Sequence, residues 1–516
     1  MASMPRAMAR RATRAALLAL ALALCIPALA GEQKVEYRVS VDLARAPLVD
    51  VEMSLEGFED EPIYLNIPLG YAYSNVESDH LEHLVAVDEN DDLIEPIYVE
   101  DRIYGWETAP DRVYYAIRMD HRLEVTNQAG SPRSLSLTFE HPYVDERRAF
   151  LIGSALFLIP DVWDADVRVE FQVPRGWEEI APWPEDAGAY TPPSLNSLLS
   201  NYVGLGRWDV RTLEVGGFRA IVAFGDKPAI DTDLLLESFE SILECADEIL
   251  GPPPHEEYVF FFPDAADVKG VSGSAKADSM ALAVEYGAPG ADLPGVSRLF
   301  AHELVHLYGH GRQPMAQDLL FFAEGFTEHY AYVLCNRAGV LTDGALRRAL
   351  SELWGRLQGL PTGLTLAQAQ AAFFDEREAT ALCYLGGMFR AMAIDARLRE
   401  ASGGERTLDD LMRYFYGEAL PPVTALPQEY PYAEWRTDLR EWWPDAPEGA
   451  FDPGLDEPLP WTMDELLDAA RRVRGEGDGE RQPLYLHLRA PSSPITGPPE
   501  GRSHPTEPPD RGLHDL

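Results

Sequence analysis

The sequence has few cysteines, few positive charges and little sustained hydrophobicity, and each shortage excludes a class of protein. Only four cysteines occur in 516 residues, and Cys245, Cys335 and Cys383, which lie beyond the first thirty residues, allow at most one disulfide. A disulfide scaffold is excluded, and core thiols are expected. The formal charge of −42 argues against nucleic acid and anionic membrane as partners. Because 46% of the residues are hydrophobic, the chain can still form large cores.

Residues 1–30 have the three parts of a secretion signal. Four arginines precede an apolar run, Ala15–Leu24, and small residues at Ala28 and Ala30 mark a cleavage site before Gly31. The apolar run is too short to span a bilayer. The sequence therefore predicts an exported protein, periplasmic or extracellular, without stable membrane insertion. Loss of the four leader arginines takes the formal charge from −42 to −46.

The segment from residue 302 to 306 reads HELVH, and its spacing suits a metal site. Residues four apart lie on one face of an α-helix, so the His302 and His306 imidazoles can face one ion. Glu303 is placed where its carboxylate can reach a water beside the ion without being a ligand, which is the general-base arrangement of the HExxH motif. The alternative is an ordinary core helix with two histidines, because the bare motif also arises by chance. The apolar residues around it favour a buried active-site helix.

Glu324 is the expected third ligand. Seventeen residues separate it from His306, enough for the chain to leave one helix, turn and enter a second. Glycines and a proline between residues 309 and 314 mark the end of the first helix, and apolar residues recur from 318 to 333. Two histidines, one glutamate and an open fourth position describe a catalytic zinc site. This N, N, O donor set favours one Zn²⁺ ion.

Three neighbouring residues are further candidates for the same site. Glu328 lies four residues after Glu324 and therefore on the same helix face. Two interpretations stay open for it: a carboxylate that orients a ligand histidine, or a solvated surface acid. His310 and His329 lack supporting spacing and are expected to be surface or packing residues.

HELVH followed by AEGFTEHY resembles the gluzincin metallopeptidases, and more closely the glycyl aminopeptidase family, which is related to the aminopeptidase N family. Further along, CYLGGMFRAM is similar to the segment that carries an oxyanion-stabilising tyrosine in these enzymes, and Tyr384 matches that tyrosine. The resemblance implies a β-sandwich followed by a thermolysin-like zinc catalytic domain. It also implies a peptide or protein substrate.

The sequence departs from the family pattern in three places. The spacing to Glu324 is one residue shorter than is usual in aminopeptidase N relatives, and Gly386 replaces the lysine that commonly follows the tyrosine by two. The segment 270–275 reads GVSGSA and lacks the glutamate that holds the free amino group of a substrate in those aminopeptidases. The resemblance therefore supports zinc chemistry in this chain better than it supports aminopeptidase activity.

The hydrophobic pattern predicts a multidomain α+β fold. Apolar residues alternate with polar ones from Val35 to Val173, which predicts strands with one buried face and suggests an amino-terminal β-sandwich. Strands are also predicted at Tyr258–Phe262 and Ser279–Val284, the second at the edge of the catalytic sheet, where a peptide substrate can add as a strand. Helical spacing predicts helices at 234–250, 346–357, 366–374, 379–399, 408–416 and 463–473.

These elements define a predicted order of domains. The order is a signal peptide at 1–30, a β-sandwich at 31–175, a transition segment at 176–230, a thermolysin-like catalytic domain at 231–340, a carboxy-terminal α-helical domain at 341–475, and a disordered tail at 476–516.

The sequence thus predicts an exported zinc metallopeptidase. His302, His306 and Glu324 are the expected ligands, Glu303 the general base, and Tyr384 the donor to the oxyanion. The alternative is a non-catalytic peptide- or protein-binding protein of the same fold. The missing amino-group anchor favours that alternative, whereas Glu303 argues against it. Amino-terminal or internal cleavage, side-chain preference and oligomeric state stay open.

Overall fold

The computed structural model describes residues 33–446 apart from thirteen gaps. The gaps are 59–61, 67–73, 76–79, 101–102, 120–123, 126–141, 163–164, 226–227, 264–270, 286, 311–314, 362 and 420–429. The predicted signal peptide, the alternating residues at 135–139, the expected helix at 463–473 and the predicted disordered tail lie outside the described residues.

Within the described ranges the fold is mixed α+β, as the sequence predicts. The strands are β1 (Lys34–Val41), β2 (Leu48–Glu56), β3 (Ile63–Asn66), β4 (Ser74–Asn75), β5 (Leu81–Val87), β6 (Tyr98–Glu100), β7 (Ile103–Trp106), β8 (Arg112–Arg118), β9 (Glu124–Val125), β10 (Tyr143–Val144), β11 (Arg148–Ile152), β12 (Ile159–Pro160), β13 (Asp166–Gln172), β14 (Glu178–Ile180), β15 (Glu185–Asp186), β16 (Ala189–Tyr190), β17 (Tyr202–Gly206), β18 (Asp209–Val215), β19 (Phe218–Phe224), β20 (Glu257–Phe262), β21 (Val271–Ala275) and β22 (Ser279–Val284). The α-helices are α1 (Gly153–Leu156), α2 (Leu195–Leu199), α3 (Thr232–Leu250), α4 (Leu293–His310), α5 (Thr327–Arg337), α6 (Asp343–Gly359), α7 (Leu366–Ala371), α8 (Arg377–Ser402), α9 (Leu408–Tyr414) and α10 (Tyr432–Trp442).

The amino-terminal strands form a seven-stranded sheet in the order β15-β16-β13-β1-β2-β8-β5, together with two four-stranded sheets, β10-β11-β17-β14 and β12-β3-β7-β6. The predicted alternation is present in β1, where Val35, Tyr37, Val39 and Val41 are buried and the residues between them are not. Leu43, which continues the same pattern, is 40% exposed, because the chain turns back there to pair β1 with β2. The three sheets share one apolar core.

A five-stranded sheet in the order β18-β19-β20-β22-β21 supports the candidate site. The prediction that Ser279–Val284 is the edge strand is wrong: this strand is β22, which lies between β20 and β21. The strand at this edge of the sheet is β21, Val271–Ala275, and β18 forms the opposite edge. All six residues of β22 are buried, and the five from Met280 to Val284 are apolar, as expected of a strand inside a sheet. Strands β18 and β19 of this sheet fall in the predicted transition segment 176–230.

The two faces of this sheet pack against different cores. One face joins the amino-terminal core through Ala223, Val259, Phe261 and Ala281. The other face packs against the helices and forms a second core, to which α3, α4, α5, α8, α9 and α10 all contribute. Helices α8, α9 and α10 therefore pack in the same core as the helix that carries HELVH, whereas α6 packs against α8 in a separate apolar cluster.

Most predicted helices are present with small changes at their ends. The exception is the helix predicted from residue 318 to 333, which is wrong as a single α-helix. The chain instead forms a 3₁₀ turn, Gln317–Leu319, a π-helix, Phe321–Phe326, and then α5. Across the residues described, no helix combines the length and apolar character that a bilayer span needs. Cys245, Cys335 and Cys383 are free thiols.

Candidate metal centre

Helix α4 presents its two histidines from one buried face. His302 is 6% exposed, and the rings of His302 and His306 have centroids 4.8 Å apart. Leu304, Val305 and Leu307 fill the opposite side of the same turns with fully buried apolar side chains. The helix is therefore held against the core by its apolar positions, and the histidine face is turned towards the segment that carries Glu324.

Glu324 reaches the histidines from the π-helix Phe321–Phe326. The wider turn of a π-helix interrupts the ordinary helical repeat, a feature that is frequent at functional sites. Gly325 lies against Gly387 of α8 so closely that a Cβ atom on Gly325 would be 2.4 Å from the Gly387 Cα. The unusual helix therefore coincides with a backbone contact that only glycine permits.

The donor atoms of His302, His306 and Glu324 lie within 4.8 Å of one another. The two Nε2 atoms are 3.1 Å apart, and Glu324 Oε2 is 3.6 Å from His302 Nε2 and 3.4 Å from His306 Nε2. Ligands about 2.0 to 2.2 Å from a tetrahedral zinc ion are about 3.3 to 3.6 Å apart. Glu324 Oε2 is buried and finds no hydrogen-bond partner in the part of the chain that the structure describes. These three residues fit a zinc ion.

The electrostatics of the cluster favour a divalent cation. Burial alone would raise the pKa of Glu324, but His306 and His302 hold it well below its usual value. Burial alone would lower the pKa of His302, but Glu324 and Glu328 together raise it to about 10. Both shifts have one cause, which is that buried carboxylates and imidazoles face each other at short range. The same negative charge would stabilise a cation held between them.

Glu303 faces the edge strand. Its carboxylate accepts a hydrogen bond from the Ala275 N–H, and burial raises its pKa. A Cβ atom on Gly273 would lie 2.5 Å from Glu303 Oε1, so any other residue at this position of β21 would displace the carboxylate. The structure thus brings Glu303 beside both the three donor residues, His302, His306 and Glu324, and strand β21.

Glu328 contacts His302 directly. It is 3% exposed, and His302 Nδ1 donates a hydrogen bond of 3.0 Å to Glu328 Oε2. The interpretation of Glu328 as a solvated acid is therefore wrong. Arg298, which the sequence did not single out, donates from Nη1 to both carboxylate oxygens of Glu328, at 2.8 and 3.0 Å. The available signal was its position four residues before His302, on the same face of α4.

Tyr384 lies beside the cluster on α8. Its ring is 5.8 Å from the His302 ring, centroid to centroid, with 15° between the planes. Phe373 stacks on the ring at 6.1 Å and 18°. The contact with Phe373 fixes the plane of the tyrosine.

His329 and His310 were not expected in the site. His329 is buried in α5, and its burial lowers its pKa to about 4, which is the behaviour of a packing residue. The side chain of His310 lies outside the described part of the chain.

The cluster lies in a segment that matches a known protein family. A family model described as M61 glycyl aminopeptidase matches residues 296–381, which include HELVH and Glu324 and end just before Tyr384. The resemblance to that family is thus confirmed. No curated protein matches the chain.

Solved structures show the same fold. The chain is similar to an aminopeptidase N family protein from Idiomarina loihiensis, with a TM-score of 0.67 and 16% identity over 84% of this chain and 78% of that one. It is also similar to an M1 zinc metallopeptidase from Deinococcus radiodurans, with a TM-score of 0.50 and 16% identity over 83% of this chain and 96% of that one. A variant of the latter bound to a Tyr-Ser-Ala substrate has a TM-score of 0.50 and 14% identity, over 79% of this chain and 90% of that one.

Proposed function

We propose that this chain is an exported zinc-dependent metallopeptidase that hydrolyses peptide bonds. The observation that carries the proposal is the convergence of the His302, His306 and Glu324 donor atoms within 4.8 Å. Glu303 lies next to them as a carboxylate that is not one of the three donors. A purely structural metal site would have no use for that fourth group.

Each residue has a separate task in the proposed reaction. The two histidines and Glu324 would hold a Zn²⁺ ion, which would supply Lewis-acid chemistry towards a scissile carbonyl and a water. Glu303 accepts the proton of the attacking water and passes it to the leaving amine. The Tyr384 hydroxyl donates a hydrogen bond to the oxyanion that forms on the substrate.

Substrate binding is assigned to the edge strand. Among the described strands β21 pairs with β22 alone, so its outer side can take an extended peptide through main-chain hydrogen bonds. Glu303 reaches the same strand through the Ala275 N–H. A peptide paired with β21 is thereby brought to the general base.

A more specific proposal is that the enzyme is an aminopeptidase, which cleaves at the amino terminus of its peptide substrate. The family name and the similar folds favour an aminopeptidase. The edge strand reads VSGSA and has no carboxylate that would pair with a free amino group, so another group would have to recognise the substrate terminus. Export is a separate part of the proposal and depends on residues 1–30.

The test compares the purified mature protein with Glu303→Gln. Zinc content is measured by elemental analysis, and both proteins are incubated with a mixed peptide library whose products are identified by mass spectrometry. The expected result is one zinc in each protein and cleavage by the wild type alone, with a loss of at least about 100-fold in the variant. Glu244→Gln, at an exposed position of α3, is the matched control and should cleave like the wild type.

The other outcomes each have a definite meaning. Zinc without cleavage in the wild type would favour the alternative of a peptide- or protein-binding protein. A wild type that takes up no zinc would show that the ligand assignment is wrong. If cleavage occurs, products that shorten one residue at a time from the amino terminus indicate an aminopeptidase, and internal cuts indicate an endopeptidase.

A further inference from the structure

We propose that Arg298 is a positioning residue of the metal centre, which holds Glu328 in place so that Glu328 can fix the orientation of the His302 ring. This inference rests on the proposed function, because it assumes that His302 binds zinc. It adds a residue that lies outside the HExxH motif.

Two rows of side chains meet between α4 and the segment that runs from the π-helix into α5. On α4, Arg298 and His302 are four residues apart, and on the facing segment so are Glu324 and Glu328. Glu328 lies between the two α4 residues, since it accepts hydrogen bonds from Arg298 Nη1 at 2.8 and 3.0 Å and from His302 Nδ1 at 3.0 Å. Arg298 therefore reaches the ligand through a single intermediate.

The side chains of Arg298 and Glu328 are largely buried, so each needs a charged or hydrogen-bonding partner. The side chains of Arg298 and Glu328 are 13% and 4% exposed. A carboxylate so far from water needs charged or hydrogen-bonding partners, and removal of one partner of a buried pair leaves the other uncompensated. The Arg298 guanidinium is itself held from a second side, 5.5 Å from the centre of the Tyr332 ring. The position of the guanidinium is thus set by α5 as well as by α4.

The hydrogen bond to Glu328 decides which nitrogen of His302 faces the ligand cluster. With Nδ1 as the donor to Glu328, Nε2 is left as the ligand atom, and it is this atom that lies 3.1 Å from His306 Nε2. A partner that fixes the ring and tautomer of a ligand histidine is typically worth about 10- to 100-fold in metal affinity. Loss of Arg298 frees the Glu328 carboxylate to move or to recruit water, and His302 loses its fixed orientation.

The test measures zinc dissociation constants by competition with a chromogenic chelator, on the full mature protein. Arg298→Met should weaken zinc binding about 10- to 100-fold, and Arg298→Lys, which keeps the charge, should recover part of the loss. Arg399→Met is the matched control, because Arg399 forms a comparably buried pair with Asp395 at 2.8 Å on α8, fifteen residues beyond Tyr384 in the sequence. Its zinc affinity should stay within about threefold of the wild type.

A double-mutant cycle with Glu328→Gln separates positioning from general damage. If Arg298 acts through Glu328, Arg298→Met should cost less than about threefold in zinc affinity in the Glu328→Gln background. The double variant also removes the stranded carboxylate, so it provides a folded protein if Arg298→Met alone is too unstable. Equal losses in both backgrounds, or unchanged affinity in Arg298→Met, would overturn the proposal.

Failure of the proposed function would look different. In one case the wild type binds zinc and loss of Arg298 weakens that binding, but the wild type cleaves nothing in the peptide library. This result would support the role of Arg298 and contradict the peptidase assignment. If the wild type cleaves peptides and Arg298→Met keeps full zinc affinity, the peptidase assignment is supported and the role of Arg298 is contradicted. A wild type without zinc affinity would overturn both.

Discussion

Two glycine contacts flank the candidate centre, one on the strand side and one on the helix side. On the strand side a Cβ atom on Gly273 would lie 2.5 Å from the end of the Glu303 side chain. On the helix side a Cβ atom on Gly387 would lie 2.2 Å from the Phe321 carbonyl oxygen, so the obstacle is backbone. A side chain can move aside, whereas two helices can only separate. The helix side therefore holds the segment that carries Glu324 rigidly, whereas the strand side leaves the Glu303 side chain room to adjust.

Gly387→Ala should give the largest effect. The added methyl group must push α8 away from the π-helix, and overpacking of this kind is expected to cost about 3 kcal/mol of unfolding free energy. Because the π-helix carries Glu324, zinc affinity should fall as well. Urea unfolding and zinc content measure the two effects. A variant with wild-type stability and zinc content would show that the two helices are not held together by this contact.

Glu324→Gln tests what the helix side contributes chemically. Glutamine keeps the shape of glutamate but loses its charge, so one anionic ligand of three donors is replaced by a neutral oxygen. Zinc affinity should fall by about 100-fold or more, and cleavage should fall with it. Chelator competition gives the dissociation constant, and excess zinc in the assay should restore part of the activity. Unchanged affinity would contradict the assignment of Glu324 as a ligand.

Gly273→Ala should separate the strand side from the helix side. The added methyl group displaces the Glu303 carboxylate but leaves the three donor atoms alone. We expect zinc binding to stay within about twofold of the wild type, while kcat falls about 10- to 100-fold because the general base is misplaced. Parallel loss of zinc and activity would mean that the strand side also controls the ligands. Gly355→Ala, at an exposed position of α6 with nothing within 4 Å, is the control for the substitution itself.

The histidine pair and the edge strand differ in how far sequence could predict them. His302 and His306 are related by helical spacing within five residues, so the sequence was sufficient to place them on one face. The edge position of β21 depends on β22 pairing with β20, a contact between separate segments that spacing does not encode. The apolar run from Met280 to Val284 is the local signal for an interior strand.

The π-helix and Arg298 were missed for different reasons. The π-helix lies where Gly325 meets Gly387, two residues 62 positions apart, and nothing in the local residues 318 to 333 distinguishes it from an α-helix. Arg298 stands four residues before His302, so its helix face was predictable, but an arginine there is equally consistent with a solvated position. Only the buried Glu328 opposite it turns the arginine into part of the centre.

Gly386→Ala should give the smallest effect, although Gly386 is the direct neighbour of Gly387. Its added Cβ would lie 3.2 Å from Leu382 Cδ1 and 3.4 Å from Arg390 Nη1, and both atoms end flexible side chains. Alanine is favoured over glycine inside a helix by about 0.8 to 1.0 kcal/mol, which offsets the tighter contacts. Stability should therefore change by less than about 1 kcal/mol, and kcat/KM by less than about twofold. A loss as large as that of Gly387→Ala would mean that any side chain on this turn disturbs the site, and the backbone contact at Gly387 would lose its special role.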